Sequence, residues 1–125
     1  MEVNFRAEVW PALNLDETDA SHLYRIAQEA LTNAARHGHA TLVDIFLLVT
    51  RSTFLLYITD NGEGICMPAS PYSGMGLKIM KYRAGMIGAK FEIAPIEPRG
   101  TVVRITGEQP LTASAPIGTR LLRSE

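Results

Sequence analysis

A chain of 125 residues, 46 % of them apolar and 20 % charged, is long enough to bury one core and too apolar for a disordered segment. A net charge of −1 leaves no electrostatic footprint for nucleic acid or an anionic membrane. The single cysteine, Cys66, excludes an internal disulfide and a zinc centre built on thiolates, and fits a reducing, cytoplasmic setting. No apolar run is long enough to span a membrane: the longest, near residues 43–49, is broken by Asp44. No signal peptide opens the chain, so any membrane anchor is expected outside it.

Residues 3–9 alternate apolar and polar side chains and predict a half-exposed edge strand, ended by Pro11. Residues 12–21 read as a loop in which Asp16, Thr18, Asp19 and Ser21 are candidate helix caps. Leu23, Ile26, Ala27, Ala30, Leu31, Ala34 and Ala35 then recur at helical spacing, with Arg25, Gln28, Glu29, Thr32, Asn33 and Arg36 on the other face. Glu29 and Asn33 are one turn apart, so a carboxylate and an amide project side by side. Gly38 is the expected left-handed cap, with Arg36 and His37 in the last turn.

Residues 41–50 and 53–60 are rich in β-branched and large apolar side chains, and Arg51-Ser52 between them signals a hairpin. Residues 61–76 read as a long loop of Gly, Pro, Ser and Tyr. Leu77, Ile79, Met80, Ala84 and Ile87 predict a second helix closed by Gly88, and residues 90–94 and 101–106 two more strands. The domain is expected to end at residue 107, with 108–125 a tail or linker. This order of elements is not strictly βαβ and predicts an α/β two-layer sandwich, a mixed sheet covered by helices.

Asp60-Asn61-Gly62-Glu63-Gly64 follows an apolar strand, where a loop is free to meet a ligand. A dinucleotide fingerprint would need glycine at position 67, which is Met67, and Pro68 and Pro71 oppose a helix start there. A phosphate loop ending in Lys-Ser/Thr also fails on spacing. The second pair, Gly74 and Gly76, opens the next helix, where backbone N–H groups and the positive end of the helix favour phosphate oxygens.

In order, Glu29, Asn33, Arg36 and His37, then Asp60, Gly62 and Gly64, then Gly74, Gly76 and Leu77, then Gly100 and Thr101 resemble the boxes of the GHKL nucleotide-binding superfamily. Residues 22–30 and 76–84 are most similar in wording to the ATP-binding catalytic domains of two-component sensor histidine kinases related to nitrate and quorum sensors. The resemblance implies a mixed, mainly antiparallel sheet under a helical layer, with ATP between that layer and a mobile lid. It implies that Asn33 holds Mg²⁺ through its amide oxygen and that Asp60 accepts a hydrogen bond from the adenine amino group, helped by Thr101. It makes Glu29 the general base or orienter, and places Arg36, His37 and the glycines at the phosphates.

Read alone, Asp60 also suits a turn, Thr101 a strand, Glu29 an ion pair with Arg25, and Arg36 and His37 any helix C-terminus. The implied partners are a dimerisation domain carrying the phosphoacceptor histidine, outside this chain, and a downstream response regulator. His22 reads as a capping or packing residue and His39 as a loop residue. Residues 65–73 form a short lid without a phenylalanine box. A non-catalytic ATP-driven switch and a serine kinase of the anti-sigma type are the alternatives.

Overall fold

The computed structural model describes residues 1–9, 17–65 and 74–107. Within them lie β1 (Glu2–Val9), α1 (Glu17–Arg36), β2 (Leu42–Val49), β3 (Phe54–Asp60), α2 (Gly74–Met86), β4 (Lys90–Pro95) and β5 (Thr101–Gly107). The strands form one sheet in the order β1-β2-β3-β5-β4. β1 runs parallel to β2, and the remaining three pairings are antiparallel. β3 and β4 both oppose β5, so they point the same way with β5 between them. The chain therefore makes two crossovers, β1-α1-β2 and β3-α2-β4, and each needs a helix to return over the sheet. α1 packs on β2 and β3, α2 on β4, and the helices pack on each other. The result is the expected two-layer α/β sandwich on a mixed, mainly antiparallel sheet.

Alternate residues of the central strands fill the space under the helices. Val43, Ile45 and Val49, then Phe54, Leu56 and Ile58, then Val103 and Ile105 are buried against Leu23, Ile26, Ala30, Ala34, Met80 and Ala84. Ile26, Val43, Val49, Met80 and Ile105 are the largest side chains fully out of solvent. Each stabilises the fold by roughly 1.5–3 kcal/mol relative to exposure. Ala35, assigned to the apolar face of α1, is exposed. Among the described residues, no helix is long and apolar enough to cross a membrane.

The hairpin turns as expected at Arg51-Ser52, with the Thr50 N–H donating to the Thr53 carbonyl at 2.9 Å. β1 is the expected edge strand but is exposed along its whole length, Phe5 by 65 %. Its register puts Val3, Phe5 and Val9 beside the core-facing Val43, Ile45 and Val49, yet α1 covers β2 and β3 rather than the edge. On the opposite face one row crosses all five strands. Arg6 lies 4.7 Å from the Phe46 ring, Phe46 opposes Tyr57, Arg104 lies 5.4 Å from the Tyr57 ring, and Arg104 meets Glu92 at 3.6 Å.

Two helix ends differ from expectation. α1 begins at Glu17, inside the expected loop, because its first turn is polar and gains from acidic Glu17 and Asp19 at the positive end rather than from apolar periodicity. α2 begins at Gly74, within the stretch read as a loop but at the glycine pair expected to open the helix. At the end of α1 the left-handed residue is His39 (φ 54°) and not Gly38. There the Asn33 carbonyl accepts both the His37 and Gly38 N–H groups, and Ala40 donates back to Ala34 at 2.9 Å. Gly88 (φ 67°) does close α2, with Gly88 donating to Gly85 and Ala89 to Ala84 in the paired pattern of a left-handed C-cap. The remainder of the expected lid, residues 66–73, and the tail, 108–125, lie outside the described residues.

Candidate functional site

Glu29 and Asn33 lie on the flank of α1 that faces the start of α2, half-buried rather than on the solvent face. A methyl group added at Gly76 would stand 3.2 Å from Asn33 Oδ1, 3.2 Å from Glu29 Oε2 and 3.4 Å from Asn33 Nδ2. The first turn of α2 thus lies close to the two polar groups, and a side chain at residue 76 would press on both. Among the described residues neither Glu29 nor Asn33 has a side-chain hydrogen bond or ion pair, and the expected alternative pairing of Glu29 with Arg25 is absent. The first-turn N–H groups of α2, which opens at Gly74, have no partners within the helix. Leu77 packs against the core and holds that turn to the fold.

The second group gathers at the end of β3. Asp60 stands opposite Thr101 on β5. The Gly62 N–H donates to Asp60 Oδ1 at 2.8 Å, so Asp60 does start a turn and still keeps its second oxygen free of described partners. The loop is packed backbone against backbone. A Cβ at Gly62 would come to 2.7 Å from the Gly38 carbonyl oxygen, and one at Gly64 to 2.9 Å from that of Gly100. Gly100 itself has φ 123°, and a Cβ there would overlap the Asp60 carbonyl oxygen. Gly38 thus serves as a contact surface for Gly62.

The two groups share α1. The Asn33 carbonyl accepts the N–H of Gly38 at 2.9 Å, so the amide and the loop contact sit at one end of the helix. Arg36 and His37 are exposed at the helix end, and neither side chain has a hydrogen-bond partner among the described residues. His22 is a packing residue, sixth in α1 rather than a cap. Its Nδ1 accepts from Arg83 Nη1 of α2 at 3.2 Å. His39 pairs with Glu63 at 2.9 Å.

Two residues that sequence reasoning passed over hold the loop. The Asn61 amide oxygen accepts the N–H groups of Thr41 and Leu42 at 2.9 and 3.0 Å, and its Nδ2 donates to Thr41 Oγ1 at 2.9 Å. Arg99 Nε, from the turn between β4 and β5, donates to the carbonyls of Asn61 and Gly62 at 3.2 and 3.1 Å. The Asp-Asn-Gly wording signals a turn, which is half of Asn61's role; nothing local to Arg99 points to carbonyls 37 and 38 residues away.

The arrangement offers helix-start N–H groups for an anion, an amide and a carboxylate beside them, and a strand-end carboxylate for a hydrogen-bond donor. No cluster of three or more His, Cys, Asp or Glu side chains suited to a metal occurs among the described residues. A hard cation here would depend on a bound ligand's own oxygens.

Residues 18–111 match the family described as histidine kinase-, DNA gyrase B-, and HSP90-like ATPase. Sensor histidine kinase LiaS of Bacillus subtilis (strain 168) is 40 % identical over 84 residues, which are 67 % of this chain and 23 % of LiaS. Sensor protein VraS of Staphylococcus haemolyticus is 39 % identical over 84 residues, 67 % of this chain and 24 % of VraS. The chain thus spans about a quarter of the length of these curated relatives. The blue-light activated histidine kinase EL346 of Erythrobacter litoralis shares the fold with TM-score 0.70 and 23 % identity, over 86 % of this chain and 37 % of that one. Full-length ShkA, solved in complex with AMPPNP, shares it with TM-score 0.67 and 17 % identity, over 90 % of this chain and 26 % of that one. With the match covering both helices and every box of the site, the chain belongs to the histidine kinase-, DNA gyrase B- and HSP90-like ATPase family.

Proposed function

We propose that this domain binds Mg-ATP between the flank of α1 and the first turn of α2, and donates the γ-phosphoryl group to a histidine in a separate dimerisation domain of a longer protein. The observation that carries the reading is Gly76, which lets the start of α2 approach Glu29 and Asn33, two half-buried polar groups without described partners. Asp60 takes the adenine amino group on its unoccupied oxygen, with Thr101 beside it across the strand pair. Guanine presents an oxygen at that position and would meet the carboxylate with repulsion. Asn33 contacts Mg²⁺ through its amide oxygen, and the ion supplies charge neutralisation at the phosphates. Gly62, Gly64, Gly74, Gly76, Arg36 and His37 line the approach of the triphosphate.

In the transfer, one ring nitrogen of the acceptor imidazole attacks the γ-phosphorus and the bond to the leaving ADP oxygen breaks. The proton on the other ring nitrogen passes to Glu29, which acts as the general base as the phosphoramidate forms. The phosphoryl group then goes to a response regulator in a cytoplasmic signalling pathway, the setting in which ATP is available.

The experiment adds the histidine-bearing dimerisation segment of the parent protein and γ-labelled ATP. Acid-labile label on that segment is the expected result. Acid-stable label on serine would replace this reading with a serine kinase, and binding without transfer with a nucleotide-driven switch.

A further inference from the structure

We propose that Arg99 is a positioning residue that sets the orientation of the Asp60 carboxylate and thereby the base selectivity of the site. The inference rests on the reading that Asp60 meets adenine. One peptide unit links the two side chains. The carbonyl oxygen of Asn61 accepts from Arg99 Nε at 3.2 Å, and the N–H of the same unit, on Gly62, donates to Asp60 Oδ1 at 2.8 Å. In a trans peptide these two groups point in opposite directions, so gripping the oxygen end aims the N–H end. Arg99 also takes the next carbonyl, that of Gly62, at 3.1 Å. Two adjacent peptide units are thereby held in one orientation by one guanidinium nitrogen.

The direction of aim matters because Asp60 has two equivalent oxygens. With Oδ1 held by the Gly62 N–H, the other oxygen is left to accept from the base. Asn61 fixes the preceding anchor, since its side chain and its N–H both bond the start of β2. Beyond Gly62 the Glu63 N–H donates to the Gly38 carbonyl at 2.8 Å, so within the loop it is the Asn61 carbonyl that Arg99 alone holds among the described residues. A carboxylate freed from its donor rotates and accepts from water as readily as from adenine. The cationic end of Arg99 also polarises the peptide, strengthening the N–H that Asp60 receives.

The length of the side chain supplies the test. Glutamine places its amide nitrogen the same number of bonds from the backbone as arginine Nε, but carries no charge. Affinities of the purified chain for Mg-ATP and Mg-GTP, measured by calorimetry, give the selectivity ratio. Exchange of the Gly62 amide proton in the ligand-free chain, followed by NMR, reports the peptide's orientation without any nucleotide. We expect Arg99→Ala to lower the ATP-to-GTP ratio about tenfold, which corresponds to about 1.4 kcal/mol. Gly62 exchange should quicken by a similar factor, with thermal stability retained, and Arg99→Gln should restore both. An unchanged ratio in Arg99→Ala overturns the proposal, and so does failure of Arg99→Gln to restore it. A wild-type chain that binds ATP and GTP equally overturns the adenine reading and the selectivity role with it, whereas wild-type preference with an indifferent Arg99→Ala overturns the Arg99 role alone.

Discussion

Gly76→Ala separates the site from the fold. The added methyl would meet Asn33 Oδ1 and Glu29 Oε2 at 3.2 Å each, both distances tight enough that the neighbour must give by a few tenths of an ångström. The neighbours are the ends of flexible side chains, so the cost to stability is small. Alanine also gains up to about 1 kcal/mol of helix propensity over glycine, less in a first turn. The two effects oppose each other, and a net change within about 1 kcal/mol moves the Tm of a domain this size by less than about 8 °C. Function has no such compensation. A shift of about 1 Å at a reacting group can cost two orders of magnitude, so a few tenths at both Asn33 and Glu29 should lower Mg-ATP affinity and phosphoryl transfer by roughly tenfold. Calorimetry with Mg-ATP and a thermal melt on the same sample read the two quantities. Affinity within twofold of wild type would refute the placement of the triphosphate beside Gly76, and a melt lowered far beyond that range would show the glycine to be needed for folding instead.

Asn33→Ala should abolish Mg²⁺-dependent ATP binding while leaving the melt unchanged or slightly raised, because alanine is the better helix former and the amide has no described partner to lose. Titration with and without EDTA checks it, and wild-type affinity would remove Asn33 from the site. Asp60→Asn keeps an oxygen for the Gly62 N–H but can turn an NH₂ toward the base, so preference for ATP over GTP should fall. An undiminished preference would count against adenine recognition by Asp60. Gly100→Ala should destabilise the fold by about 2 kcal/mol or more, since it forces a side chain into φ 123° and against the Asp60 carbonyl. A urea midpoint equal to wild type would contradict that contact.

The placement of much of the candidate site was readable because its parts are local. Glu29 and Asn33 are one helical turn apart, Gly74 and Gly76 open a helix, and Asp60 ends a strand, so each is placed by its neighbours in sequence. Glycine 38 misled for the same reason. Its position after a helix suggested a left-handed cap, but the left-handed backbone falls on His39 while Gly38 makes room for Gly62, a demand set twenty-four residues away. Arg99 and Asn61 were unreadable as a pair because their bonds run to backbone carbonyls and amides, which leave no mark on the pattern of side chains.

The amino-acid sequence by itself determined which segments become helix and strand, since apolar periodicity acts over a few residues, and its likeness to the family's boxes named the candidate site residues. Only the tertiary structure decided that β5 inserts between β3 and β4, that Asp60 faces Thr101, and that Gly76 meets Glu29 and Asn33. Those choices depend on how strands far apart in the chain share one buried face, and burial is a property of the assembled sheet and helices.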